Sequence, residues 1–136
     1  MPRERRILGS PADWLVRARA DLALAKIPLP EGGLYEDLCF HAQQAAEESI
    51  KAVYRAYHLE FRYTHDLADL LDGLQRKGIQ VPAELRETMK LSHFAWEARY
   101  PVLKEPVTKA EYEHAVALAE RTLQWAEELV KGSRAT

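Results

Sequence analysis

The chain has 136 residues, 47% of them hydrophobic and 29% charged, and a net charge of −2. That size suits one domain around one core, and so small a charge gives no global field drawing the protein to nucleic acid or an anionic membrane. No apolar run approaches the roughly 20 residues that span a bilayer. Cys39 is the only cysteine, which excludes an internal disulfide and a thiolate zinc site. The start, Met1-Pro2-Arg3-Glu4-Arg5-Arg6, precedes only two apolar residues and does not read as a signal peptide, so the cytoplasm is the expected compartment.

Residues 1–9 read as an arm, with Arg3, Arg5 and Arg6 either solvated or available to phosphate. Residues 10–132 read as one helical domain and 133–136 as a tail. The first helix opens at Ser10-Pro11-Ala12-Asp13: serine caps, proline suits the first turn, and aspartate favours the positive helix end. Trp14, Leu15, Ala18, Leu22 and Ala25 form its apolar face, and Pro28 and Pro30 stop it.

The second helix, roughly Leu34 to His58, is the longest uninterrupted pattern in the chain. Its apolar face covers about half the circumference, and Ala42, Ala45, Ala46 and Ser49 let another backbone approach closely. Cys39 lies on that face and reads as a packed, inert thiol. Phe40, Glu47 and Tyr54, spaced by seven, share the opposite side. Two aromatics on a polar face either cover neighbouring side chains or form a subunit interface.

Thr64 is expected to cap a short third helix with Leu67, Leu70, Leu71 and Leu74 as its buried stripe. Gly78 ends it. Pro82 opens a fourth, with Leu85, Met89, His93 and Trp96 on one face, broken at Pro101. Thr108 to Glu111 is a capping box for the fifth, which carries Tyr112, Ala115, Val116, Ala119, Leu123, Ala126 and Val130 on one face. No segment alternates as a strand does. The expected fold is all-α: an up-and-down bundle of four main helices plus a shorter one.

Signals for chemistry are sparse. There is no glycine-rich phosphate loop, GxSxG or HExxH. A di-metal carboxylate site needs two Glu-x-x-His motifs, and the chain has one, Glu111 to His114; Asp37/His41 and His93/Glu97 are isolated pairs. No metal or cofactor is expected. Lys51, Arg55, His58, Arg62 and His65 gather around the turn between the second and third helices, beside a helix N-terminus. Such a corner can receive phosphate; equally, Lys51 and Arg55 can pair with Glu47 and Glu48. Arg99 can bond the carbonyls that end the fourth helix or reach a phosphate.

Phe40-x-x-Gln43-Gln44-Ala45-x-Glu47-x-x-Ile50-Lys51-Ala52, Thr64-His65-Asp66-Leu67 and Ala98-Arg99-Tyr100-Pro101, in this order and spacing, resemble the HEPN domain family over about residues 12 to 130. The resemblance implies a helical bundle that dimerises, often through its long helices, and that associates with nucleotides or RNA. Prokaryotic members of this kind are frequently encoded beside a minimal nucleotidyltransferase, as a two-component, toxin–antitoxin-like pair. Many relatives are metal-independent ribonucleases. They use an arginine and a histidine separated by four to six residues near the end of the fourth helix.

This sequence departs from that motif. Arg99 stands at the arginine position, but Lys104, Glu105 and Pro106 occupy the histidine positions. Arg86 and His93 alone keep the spacing, further upstream on an apolar stripe. The expectation is therefore a non-catalytic, homodimeric or higher-order subunit that binds a nucleotide or RNA through Lys51, Arg55, His65, Arg99, Tyr100, Gln43 and Gln44. Its interface would use Phe40, Glu47 and Tyr54. Lys51→Ala should then weaken binding and leave the fold intact. The alternatives are an endoribonuclease using Arg86 and His93, and a purely structural dimerisation module.

Overall fold

The computed structural model describes residues 8–92 and 106–133 and, of 89 and 90, the backbone alone. Among the described residues the elements are, in order, α1 (Pro11–Ala25), α2 (Tyr35–Ala56), α3 (Leu67–Arg76), a 3₁₀ helix (Ala83–Leu91) and α4 (Lys109–Ser133). No strand occurs among the described residues. The expected all-helical bundle is the architecture found.

Helix α2 lies at the centre, packed along α1 and α4 and also touched by α3 and the 3₁₀ helix. The consequence is complete burial of ten consecutive residues, Ala45 to Tyr54. A helix flanked on one side would leave about half of such a run in water. Ala42, Ala45, Ala46 and Ala52 are fully buried, so the small side chains set how closely the neighbouring backbones approach.

The caps follow from the sequence. Asp13 N–H donates to Ser10 Oγ at 3.1 Å, and Gly9 N–H returns to Asp13 Oδ2 at 3.0 Å. Thr108 and Glu111 form the reciprocal box at the start of α4, with bonds of 3.0 and 3.1 Å. Helix α2 ends with His58 in the left-handed region (φ 56) and Leu59 N–H bonded to Tyr54 C=O at 2.8 Å, the Schellman arrangement that satisfies a free carbonyl.

Two local expectations are corrected. Asp66, not Thr64, caps α3, accepting from Ala68 and Asp69 N–H; Thr64 Oγ1 instead accepts from Asp66 N–H, fixing the turn before the helix. Over Ala83–Leu91 the fourth element is 3₁₀ and not α, and Ser92 after it is α-helical. Leu85, Thr88 and Leu91 are all buried, and a period of three places them on one face. Thr88 Oγ1 lies 3.0 Å from Thr122 Oγ1 of α4, which ties that face down.

Helix α3 buries Leu67, Leu70, Leu71 and Leu74, each contributing about 1.5–3 kcal/mol. Its contact with α2 depends on Gly73. Tyr54 Oη donates to Leu70 C=O at 2.6 Å, and a Cβ on residue 73 would collide with the Tyr54 hydroxyl oxygen. The tyrosine cannot swing away freely, because its buried ring packs edge-on against Phe61 at 5.7 Å. Gly73→Ala should therefore lower stability by about 2–3 kcal/mol. Urea denaturation followed by circular dichroism measures this, and a loss below about 0.5 kcal/mol would contradict the packing.

Candidate functional site

Gln43, Glu47, Lys51 and Arg55 follow one another at four-residue intervals along α2, so they form a ladder on one face. Glu47 is its hub. Oε2 accepts from Lys51 Nζ at 2.8 Å, while Oε1 accepts from His65 Nδ1 at 2.8 Å and from Gln43 Nε2 at 3.2 Å. Gln43 Nε2 also reaches His65 C=O at 3.3 Å. One buried carboxylate thus fastens the connector after α2 onto the helix itself.

The ammonium of Lys51 stands among three aromatic rings: Phe61 at 5.2 Å, Trp14 at 5.3 Å and Tyr63 at 5.8 Å from the centroids. Ring faces carry negative potential and stabilise a desolvated cation. Trp14 and Phe61 meet edge to face at 5.9 Å, which closes the cage. Arg55 lies over Phe61 at 4.6 Å.

Lys51, His65 and Gln43 are therefore brought together as expected, but two of the three face inward. Gln43 is fully buried and Lys51 is 6% exposed. Lys51 is paired with Glu47 inside the fold, so Lys51→Ala is now expected to lower stability, because removing the ammonium strands that carboxylate. Glu47 (3% exposed) and Tyr54 (4%) are likewise corrected as interface residues, since both are consumed inside the chain and have no surface for a second subunit. Phe40 remains half-buried, stacked on His41 at 5.6 Å. Gln44 is half-buried and apart from the Glu47 hub, and its Oε1 accepts no hydrogen bond among the described residues. Arg86 bonds Asp72 at 2.6 Å and also Gln75, so its guanidinium clamps the 3₁₀ helix to α3. His93, Arg99 and Tyr100 lie outside the described residues.

The solvent side of the cluster is the connector. Tyr63 is 91% exposed. The side chain of Arg62 is 82% exposed, with only a loose 3.9 Å contact to Asp69, and that of His65 is 48% exposed. Arg62 also lines a cleft of about 210 Å³ with Glu60, Asp69, Arg76 and Lys77, floored by Tyr54, Leu70 and Gly73. Phe61 and Tyr63 were legible only as connector residues; two aromatics flanking an arginine were the available signal for a surface.

A second polar cluster lies between α1 and α2. Glu48 is hydrogen-bonded to Asp21, whose Oδ1 is 2.8 Å from His41 Nδ1. Burial above all, then Asp21 and Glu47, push the Glu48 carboxyl from 4.5 up to about 9, against the opposing pull of Arg17. Of the pairs considered for a metal, His41 is engaged with Asp21, and His114 stands 3.5 Å from Glu87. No three metal-binding side chains converge among the described residues. Cys39 is fully buried, and desolvation, with Glu36 and Glu111 nearby, pushes its thiol up to about 12, so it stays protonated.

The pattern of the HEPN domain matches residues 11–129. The crystal structure of TT1696 from Thermus thermophilus is similar at 34% identity and a TM-score of 0.74, covering 88% of this chain and 97% of that one. ST0689, an archaeal HEPN homologue, is similar at 26% identity and a TM-score of 0.71, covering 89% and 98%. No curated protein matches. With the pattern spanning most of the chain and two solved structures sharing its fold along nearly their whole length, this chain belongs to the HEPN domain family.

Proposed function

We propose that this HEPN protein is a cytoplasmic, homodimeric subunit that binds a nucleotide or RNA and acts with a minimal nucleotidyltransferase in a two-component, toxin–antitoxin-like pair. It binds and does not cut. The observation that carries the reading is the concentration of Arg55, His58, Arg62 and His65 around one connector of a chain whose net charge is −2. Lys51 and His65 both bond Glu47, which leaves Arg55, His58 and Arg62 as the connector's cations not engaged by that carboxylate. Arginine presents a planar fork that matches phosphate oxygens, and such contacts dominate affinity for nucleic acid. The departure from the ribonuclease motif, together with the engagement of Arg86 by Asp72 and Gln75, supports a binding role. Arg99 and Tyr100, outside the described residues, are proposed as further ligand-binding residues on the strength of the sequence alone. Phe40 is the remaining candidate for the subunit contact.

Calorimetric titration with ATP, GTP and a short single-stranded RNA, with the RNA from the same sample run on a gel, tests this. Binding that weakens as salt rises, with the RNA left intact, is the expected result. Absence of binding to all three at low salt sinks the reading. Cleavage that survives chelation of metals replaces it with a metal-independent ribonuclease.

A further inference from the structure

We infer that the apolar groove at the turn between α1 and α2 is a docking site for a protein segment that carries large apolar side chains beside a lysine or arginine. Leu24, Ile27, Leu29 and Leu34 are four of the seven exposed large hydrophobic side chains among the described residues, and all four line this groove. Apolar exposure gathered in one place marks an interaction surface, whereas scattered exposed leucines do not. The groove lies at the N-terminal end of α2. Asp37 on its wall is about 20 Å along the helix axis from Lys51, so this face is not the cationic connector.

Leu34 departs from the local rule. It holds the N-cap position of α2, makes no side-chain cap hydrogen bond and is 56% exposed. Serine, threonine, aspartate or asparagine there would accept from a free helix N–H. Leucine supplies no cap and, at that exposure, little core packing, and such departures concentrate at functional positions. The turn that carries it is preset. Pro28 and Pro30 restrict the chain, Gly32 takes a φ of 79, and Gly33 N–H donates to Pro30 C=O at 2.8 Å. A partner therefore meets a shaped surface with little left to order.

Size and charge choose the occupant. The groove measures about 210 Å³, below the roughly 300–1,000 Å³ of small-molecule pockets. It suits one anchoring side chain, while the apolar rim around it suits the rest of a segment. The polar lining residues are Asp37 and His41. Asp37 is exposed and makes no ion pair among the described residues. His41 gives Nδ1 to Asp21 at 2.8 Å, which leaves Nε2 an acceptor on the neutral ring. Both accept, and Lys26 at the end of α1 is already paired with Glu120 at 2.9 Å. A second copy docked patch to patch would set Asp37 against its own equivalent, and an anionic lipid surface would meet the same repulsion.

The test is fluorescence anisotropy of the full chain with a labelled amphipathic peptide of leucine, alanine and lysine, and with its counterpart in which glutamate replaces lysine. The lysine peptide should bind at least about tenfold more tightly. Leu34→Ser should weaken that binding by about tenfold while raising the urea midpoint, because serine caps the helix. Asp37→Lys should reverse the preference between the two peptides, and circular dichroism confirms that both variants fold. Equal binding of the two peptides, no binding of either, or unchanged binding by both variants overturns the inference. Displacement of the lysine peptide by hexylamine at the peptide's own concentration would make this a small-amine site instead. Self-association of the free chain that Leu34→Ser abolishes would give the face to a second copy and overturn the inference as well.

Discussion

Glu47→Gln should lower stability by about 3–5 kcal/mol, the range for breaking one partner of a buried ion pair. Glu47 is 3% exposed and accepts from three side chains, Gln43, Lys51 and His65. The amide keeps the shape but offers a single acceptor, and its NH2 group faces donors. Lys51 is left as an ammonium without its counter-charge, surrounded by Trp14, Phe61 and Tyr63. Cation–π attraction of about 0.5–2 kcal/mol per ring offsets part of the loss and not all of it. Urea denaturation gives the value. Adding Lys51→Met should recover more than half, because an unbranched apolar chain suits the aromatic cage and no charge remains to be paired. A single-variant loss under about 1 kcal/mol, or no recovery in the double variant, would show that the ladder does not hold the connector.

That ladder shows where the sequence was informative and where it was not. The i,i+4 spacing of Glu47 and Lys51 made their pairing readable, and the caps at Ser10 and Thr108 follow directly from local chemistry. Such signals span a few residues and need no tertiary information. What could not be read was how many neighbours surround α2. Periodicity assigns a residue an angle on its helix, but whether that angle meets water depends on the packing of α1, α3, the 3₁₀ helix and α4. Glu47, Lys51 and Tyr54 were therefore assigned to a surface, and the structure buries all three. Thr64 was assigned the cap because Ser, Thr, Asp and Asn all serve; Asp66 two residues on competes for the same role, and its carboxylate takes both Ala68 and Asp69 N–H. The cationic connector was half visible, since its arginines and histidines follow from spacing, while the exposure of Tyr63 depends on tertiary packing that spacing does not give.

Glu48→Gln should stabilise the protein at neutral and alkaline pH, with an advantage that grows with pH. In the folded state the Glu48 carboxyl is raised from 4.5 to about 9, first by burial and then by Asp21 and Glu47. The folded chain therefore holds this proton more tightly than the unfolded chain does. The stability linked to it is fully present below about pH 4.5 and is lost as pH rises through about 9. One pKa unit corresponds to about 1.4 kcal/mol, so near pH 7 the group costs on the order of 3 kcal/mol. Glutamine carries no proton to lose, and its amide N–H can donate to Asp21 as the protonated carboxyl does. Urea midpoints for both proteins between about pH 5 and pH 8 should converge at the acid end and separate steadily toward the alkaline end. Every other residue is common to both proteins, so the difference between the curves reports residue 48 together with its coupling to its neighbours. Parallel curves would mean that the carboxyl does not hold its proton between α1 and α2. A variant less stable at every pH would mean that the carboxyl makes contacts the amide cannot replace.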